Sequence, residues 1–164
     1  MNFNQSISVT KKIEVNKNKL WEFISSPGYL NYCHPFCKKN KIIKWEKDNH
    51  SDMLEYLNGL VYIRNFIKWD ENKGYTLLIG EKNKEQSKVI WEIIEDGNSN
   101  YLKITVFPYF LKNYPRVISY IPYKFFVAPK LRSYLKSVLN GINFYLINEV
   151  PVKRNKYGKH LWFS

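Results

Sequence analysis

Cys33-His34-Pro35-Phe36-Cys37 is the stretch whose residue types could do chemistry at close spacing. Two thiols and an imidazole raise two chemistries, metal binding and attack by a thiolate that histidine activates. A closed zinc site takes four ligands, and the other histidines, His50 and His160, stand at no helpful spacing. A Cys–His catalytic pair needs the two side chains within hydrogen-bond reach and a third group to orient the base, whereas neighbours in sequence rarely point at each other. The expected reading is a small buried thiol and a turn histidine ahead of proline, with free cysteines, no metal and no cofactor. His34 and Glu55 stay open as acid–base residues only if they reach a cavity wall. Glycine-rich phosphate loops, nucleophile elbows and zinc-protease helices are missing from the sequence.

The element that must position this stretch is the last long helix, expected from Pro129 to Glu149. Pro129 suits a first helical position, and Leu131, Leu135, Val138, Leu139, Ile142 and Leu146 recur at the spacing of one helical face. Pro151 stops it. About 20 residues rising 1.5 Å each make a rod of roughly 30 Å, enough to cross a small domain. Gly141 lies inside the helix, where it costs about 1 kcal/mol relative to alanine unless a close backbone approach or a ligand requires it.

The residues ahead of that helix alternate in period two. Ser6 to Val15 reads as a first strand, Asn16 as the cap of a short helix burying Leu20, Trp21, Phe23 and Ile24, and Tyr29 to Tyr32 as a second helical turn. Strands are expected at Lys41 to Lys47, Met53 to Leu57, Leu60 to Trp69, Tyr75 to Ile79, Lys88 to Glu95 and Tyr101 to Phe107. Asn58-Gly59 predicts a two-residue hairpin turn. Val89, Trp91 and Ile93, with Leu102, Ile104 and Val106, share a face expected to be buried; Lys88, Glu92, Lys103 and Thr105 share the wet one. In Leu60 to Trp69 both parities are apolar, so the direction of Tyr62 and Arg64 is open. The fold class is α+β: a curved antiparallel sheet of about seven strands, two short helices after the first strand, and a long C-terminal helix packed across the sheet.

At 164 residues and 45% apolar composition, the chain suits one domain, 1–164, with a substantial core. The start of the sequence lacks a signal-peptide core, and no apolar run reaches the length of a membrane span. The expectation is a cytoplasmic protein, with contact at the membrane periphery left open. The net charge of +12 is uneven. Residues 1–107 carry a net of +3 and residues 108–164 a net of +9. Nucleic acid is not the expected partner, because no RNA-recognition signature or helix-turn-helix pattern accompanies this charge and the strand aromatics mostly fall on the face to be buried.

Two basic segments stand out. Residues 108–128 form an aromatic-basic insertion, longer than a strand-to-helix connection requires. Its Phe110, Lys112, Tyr114, Arg116, Lys124 and Phe125 are expected to form a lid or an anionic-membrane contact, with plain core closure as the rival. Residues 151–164 form a basic tail whose Tyr157, Trp162 and Phe163 are expected to dock on the domain.

The passage Val15-Asn16-Lys17-Asn18-Lys19-Leu20-Trp21-Glu22-Phe23-Ile24-Ser25-Ser26-Pro27, with His34-Pro35-Phe36 and Val89-Ile90-Trp91-Glu92-Ile93 ahead of a glycine turn, resembles the SRPBCC superfamily. That superfamily includes START lipid-transfer domains, polyketide cyclase and dehydrase-like proteins, and birch-pollen-allergen-like proteins. The resemblance runs from about Ser6 to Glu149. It implies the helix-grip fold, with a cavity between sheet and helix for an apolar or amphipathic molecule. The candidates to line that cavity are Tyr32, Phe36, Tyr56, Tyr62, Trp91, Leu135, Leu139 and Ile142, each of which also suits an ordinary core position. Three function classes follow: a non-enzymatic carrier or sensor of a lipid, isoprenoid or polyketide-like molecule, which is favoured; a cyclase or dehydrase-like enzyme on a similar ligand; and an interaction module.

Overall fold

A computed structural model describes residues 5–47, 49–109 and 123–164. Strand β1 (Ile7–Ile13) is followed by helices α1 (Lys17–Ile24) and α2 (Leu30–Cys33). Six strands come next: β2 (Cys37–Glu46), β3 (Asn49–Tyr56), β4 (Val61–Asp70), β5 (Gly74–Gly80), β6 (Ser87–Asp96) and β7 (Ser99–Phe107). A wide helical turn, Tyr123–Val127, leads into the long helix α3 (Ala128–Asn148). The seven strands make one antiparallel sheet in the order β1-β7-β6-β5-β4-β3-β2. Because β1 pairs with β7 rather than with β2, α1 and α2 carry the chain from one edge of the sheet to the other. The architecture is the helix-grip fold, with α3 against β1 and α2.

Local chemistry sets the element ends. Asn16 Oδ1 accepts from the Lys19 N–H at 2.8 Å and so caps α1. At its far end α3 stops with Glu149 in the left-handed conformation (φ 55°), two residues before Pro151. The hairpin at Asn58-Gly59 departs from the two-residue turn. Gly59 N–H donates to Tyr56 O and Tyr56 N–H to Leu60 O, which leaves a three-residue loop, Leu57 to Gly59, with only Gly59 at positive φ (86°). A turn closed by one left-handed glycine is the usual three-residue solution, and Asn58 serves it by accepting from Leu60 N–H.

One face of the sheet and one of α3 enclose the core. All six apolar positions of the helical stripe are buried, as are Val89, Trp91, Leu102, Ile104 and Val106; Ile93 is half-buried. Thr105 departs from the expected wet face: it is buried, and its hydroxyl bonds Ser8 Oγ at 2.8 Å between β1 and β7. Gly141 is a packing glycine. A β-carbon there would lie 2.0 Å from the carbonyl oxygen of Cys33, so α2 and α3 meet backbone to backbone.

Candidate functional site

A cavity of about 380 Å³ lies between the sheet and the N-terminal half of α3, a size within the usual range for small-molecule sites. Leu131, Tyr134, Leu135 and Val138 of α3 face it. Leu54 and Tyr56 of β3, Tyr62 and Arg64 of β4, Leu77 and Ile79 of β5, Val89 and Trp91 of β6, and Ile104 and Val106 of β7 form the opposite wall. Leu30 and His34 close it from α2 and its C-terminal cap, Pro108 and Tyr109 from the end of β7, and Trp162 and Phe163 from the tail. The wall is mostly apolar because inward positions repeat every second residue along the strands.

Of the expected lining residues, Tyr56, Tyr62, Trp91 and Leu135 stand in this wall. Phe36, Leu139 and Ile142 do not; they are buried in the core, the two α3 residues in the half of the helix beyond the cavity. Tyr32 is 48% exposed and packs its ring on Tyr145 at 5.6 Å, because α2 turns that side outward. Phe110, Lys112, Tyr114 and Arg116 lie outside the described residues. Lys124 and Phe125 are exposed on the turn before α3, with Lys124 Nζ 5.9 Å from the Phe125 ring centre.

Apart from Tyr62, Ser87 and Tyr109, the polar groups at the wall fall into two networks. In the first, Arg64 clamps Asp52 through Nε to Oδ1 at 2.7 Å and Nη2 to Oδ2 at 2.5 Å, with both side chains almost fully buried. Arg64 Nη1 also donates to Tyr29 Oη at 3.3 Å, and Tyr29 meets Tyr75 hydroxyl to hydroxyl at 2.7 Å. Burial works against the guanidinium charge, but Asp52, together with Tyr29 and Tyr75, raises the pKa well above its ordinary value. Burial also pushes the Tyr29 phenol up to about 12. The bidentate fork satisfies both carboxylate oxygens, as a buried ion pair requires.

In the second network, His34 Nδ1 accepts from the Phe36 N–H at 3.2 Å, and His34 Nε2 lies 2.9 Å from Tyr134 Oη. Tyr134 Oη lies 3.2 Å from Tyr56 Oη. Burial, reinforced by Arg64, lowers the His34 pKa to about 3, so the ring is neutral at physiological pH. Burial raises both phenols.

The thiols stand apart from this chemistry. Cys33 and Cys37 are free, burial raises both, and Cys37 reaches about 12. A thiol that holds its proton this tightly is a poor nucleophile. The His34 ring bonds a phenol and a backbone amide rather than a thiol, and Glu55 faces outward to Lys38 at 2.6 Å. Among the described residues no three His, Cys, Asp or Glu side chains converge to hold a metal.

The tail completes the cavity. Val152 N–H donates to Tyr32 O, Asn155 N–H to Pro35 O, and His160 Nε2 to Lys130 O at 3.1 Å. These anchors seat the Phe163 ring on Tyr56 with centroids 4.4 Å apart and on Tyr134 at 4.6 Å. Among the wall residues that sequence reasoning did not name as candidates are Arg64, Tyr134, Trp162 and Phe163. Tyr134 was accessible from spacing, since it sits three residues after Leu131 and four before Val138 on one helical face.

Comparison with protein-family models finds no match, and neither does comparison with curated proteins. Solved structures do match. DynU16, from the dynemicin biosynthetic locus, superposes with a TM-score of 0.67 at 10% identity over 89% of this chain, which spans 48% of DynU16. A START superfamily protein from Mycobacterium smegmatis gives 0.60 at 14% identity, over 88% of this chain and 96% of its own. CalU16 from Micromonospora echinospora gives 0.59 at 13% identity, over 90% and 76%. Likeness at this identity is likeness of fold, and it agrees with the element order, the sheet topology and the helix across the sheet. The chain has the helix-grip fold.

Proposed function

We propose that the protein binds and carries, or senses, an apolar small molecule in the cavity between its sheet and α3, and performs no chemistry on it. The observation that carries this reading is the largely apolar wall, whose one full charge among the described residues, Arg64, is neutralised by Asp52. The likeness to a START superfamily protein supports it. A catalytic acid or base works best with a pKa near the operating pH, and the wall groups depart from that condition. His34 sits near 3, the phenols are raised and Arg64 keeps its charge. Native mass spectrometry of gently isolated protein tests the reading: an apolar adduct at one per chain supports it, and a chain that carries no adduct and takes up no apolar probe refutes it.

The cyclase-like alternative draws on the His34–Tyr134–Tyr56 contacts and on the likeness to DynU16. Turnover of the bound molecule, lost in His34→Ala, would favour it over a carrier.

An anionic membrane surface is the further proposed partner. Phe125 and Phe126 are 64% and 66% exposed beside Lys124, ahead of α3, whose N-terminal half lines the cavity. Exposed aromatics with a cation suit the headgroup region. Anionic vesicles should retain the protein in a salt-sensitive way, and Phe125→Ser with Phe126→Ser should weaken retention; equal retention on neutral vesicles would contradict the proposal.

A further inference from the structure

The hydrogens of the second network can be counted. The Phe36 backbone N–H can only donate, so His34 Nδ1 must accept, and the single hydrogen of the neutral ring sits on Nε2. Nε2–H therefore donates to Tyr134 Oη. Three hydrogens, one on Nε2 and one on each phenol, serve only two contacts, Nε2 to Tyr134 and Tyr134 to Tyr56. Whichever phenol donates to the other, one O–H hydrogen is left without an acceptor among the described residues. Both phenols stand in the cavity wall. Phe163 stacks on Tyr56 and packs on Tyr134, which holds the two rings in place. Other polar wall groups with hydrogens to spare are the hydroxyls of Tyr62 and Ser87 and the guanidinium of Arg64. Three of its five N–H hydrogens go to Asp52 and Tyr29, and Asp52, fully buried, has both oxygens engaged.

We propose that Tyr56 and Tyr134, polarised by His34, form a donor site for a carbonyl oxygen, so that the cavity selects apolar ligands bearing a ketone or quinone-type acceptor over the same skeleton without one. This rests on the reading of the cavity as a ligand site and names the class of ligand it takes. A buried donor left unmet disfavours a ligand that cannot accept from it.

The test uses 9-fluorenone and fluorene, one flat skeleton with and without the carbonyl, titrated against the full chain and against Tyr56→Phe, Tyr134→Phe, the double variant and the triple variant that adds His34→Ala. Wild type should bind fluorenone about three- to tenfold more tightly than fluorene, the range of one net hydrogen bond. The infrared carbonyl stretch of bound fluorenone should fall below its value in an apolar solvent. Each single variant still leaves one phenol hydrogen, and Tyr134→Phe also frees the His34 Nε2–H, so the preference should be lost only when the double variant also carries His34→Ala, and the fluorene affinity of that triple variant reports that the cavity is intact. Equal binding of both probes to wild type would overturn the proposal and leave the ligand-site reading standing. Binding of neither would overturn both. A preference that survives in the triple variant would also overturn it, and would assign the carbonyl to another polar group of the wall, such as Arg64.

Discussion

Gly141 of α3 lies against the carbonyl of Cys33 so closely that a β-carbon on it would sit 2.0 Å from that oxygen. Helix propensity alone favours alanine over glycine by about 1 kcal/mol. The obstacle is backbone, which cannot rotate aside as a flexible side chain can. Gly141→Ala is therefore expected to lower stability by about 1–3 kcal/mol, the usual cost of overpacking, in chemical denaturation. A gain in stability would show that α2 and α3 do not meet here.

The Asp52–Arg64 pair gives a second expectation. Asp52→Asn leaves a buried guanidinium without its counter-charge and should cost about 3–5 kcal/mol, whereas an apolar replacement of both partners should cost much less than the two single changes together. A double-mutant cycle read by denaturant titration decides it. Additive losses would mean that the two side chains do not share one buried site.

Acid should destabilise the protein in a window set by His34. Its folded pKa, about 3, lies below the ordinary histidine value of 6.5, so between those values the unfolded chain binds a proton that the folded chain does not. Stability is then fully present above pH 6.5 and falls as the pH falls, by about 1.4 kcal/mol per unit for one proton. His160, also lowered by burial, adds in the same direction. His34→Asn, which keeps an acceptor for the Phe36 N–H, should remove about one proton from the slope between pH 6.5 and 5. An unchanged slope would place the His34 ring in solvent.

Most of the fold was legible because its signals are local. The α3 stripe and the alternation of Val89, Trp91 and of Leu102, Ile104, Val106 each state a buried face within a few residues. The site was less legible because its members meet only in three dimensions. Leu139 and Ile142 share a helical stripe with Leu135, and nothing in their spacing says that the cavity faces only the N-terminal half of α3. Arg64 was ambiguous for a physical reason: a charge on an inward parity is costly until a partner appears, and Asp52 lies on the neighbouring strand, directly paired with it. The part of Trp162 and Phe163 in the wall follows from a tail route fixed by hydrogen bonds to the backbone carbonyls of Lys130, Tyr32 and Pro35, which leave no periodic trace.

The most direct measurement is a fluorescence titration of the full chain with the neutral apolar fluorophore 1-aminoanthracene, repeated on Leu135→Trp and Val138→Phe, which add bulk from α3 into the cavity. Wild type is expected to bind one fluorophore per chain, saturably and with a blue-shifted emission, and both variants to stay folded by circular dichroism while binding at least tenfold more weakly. Saturable binding of equal strength in all three proteins, or none in the wild type, would contradict a ligand site between the sheet and α3.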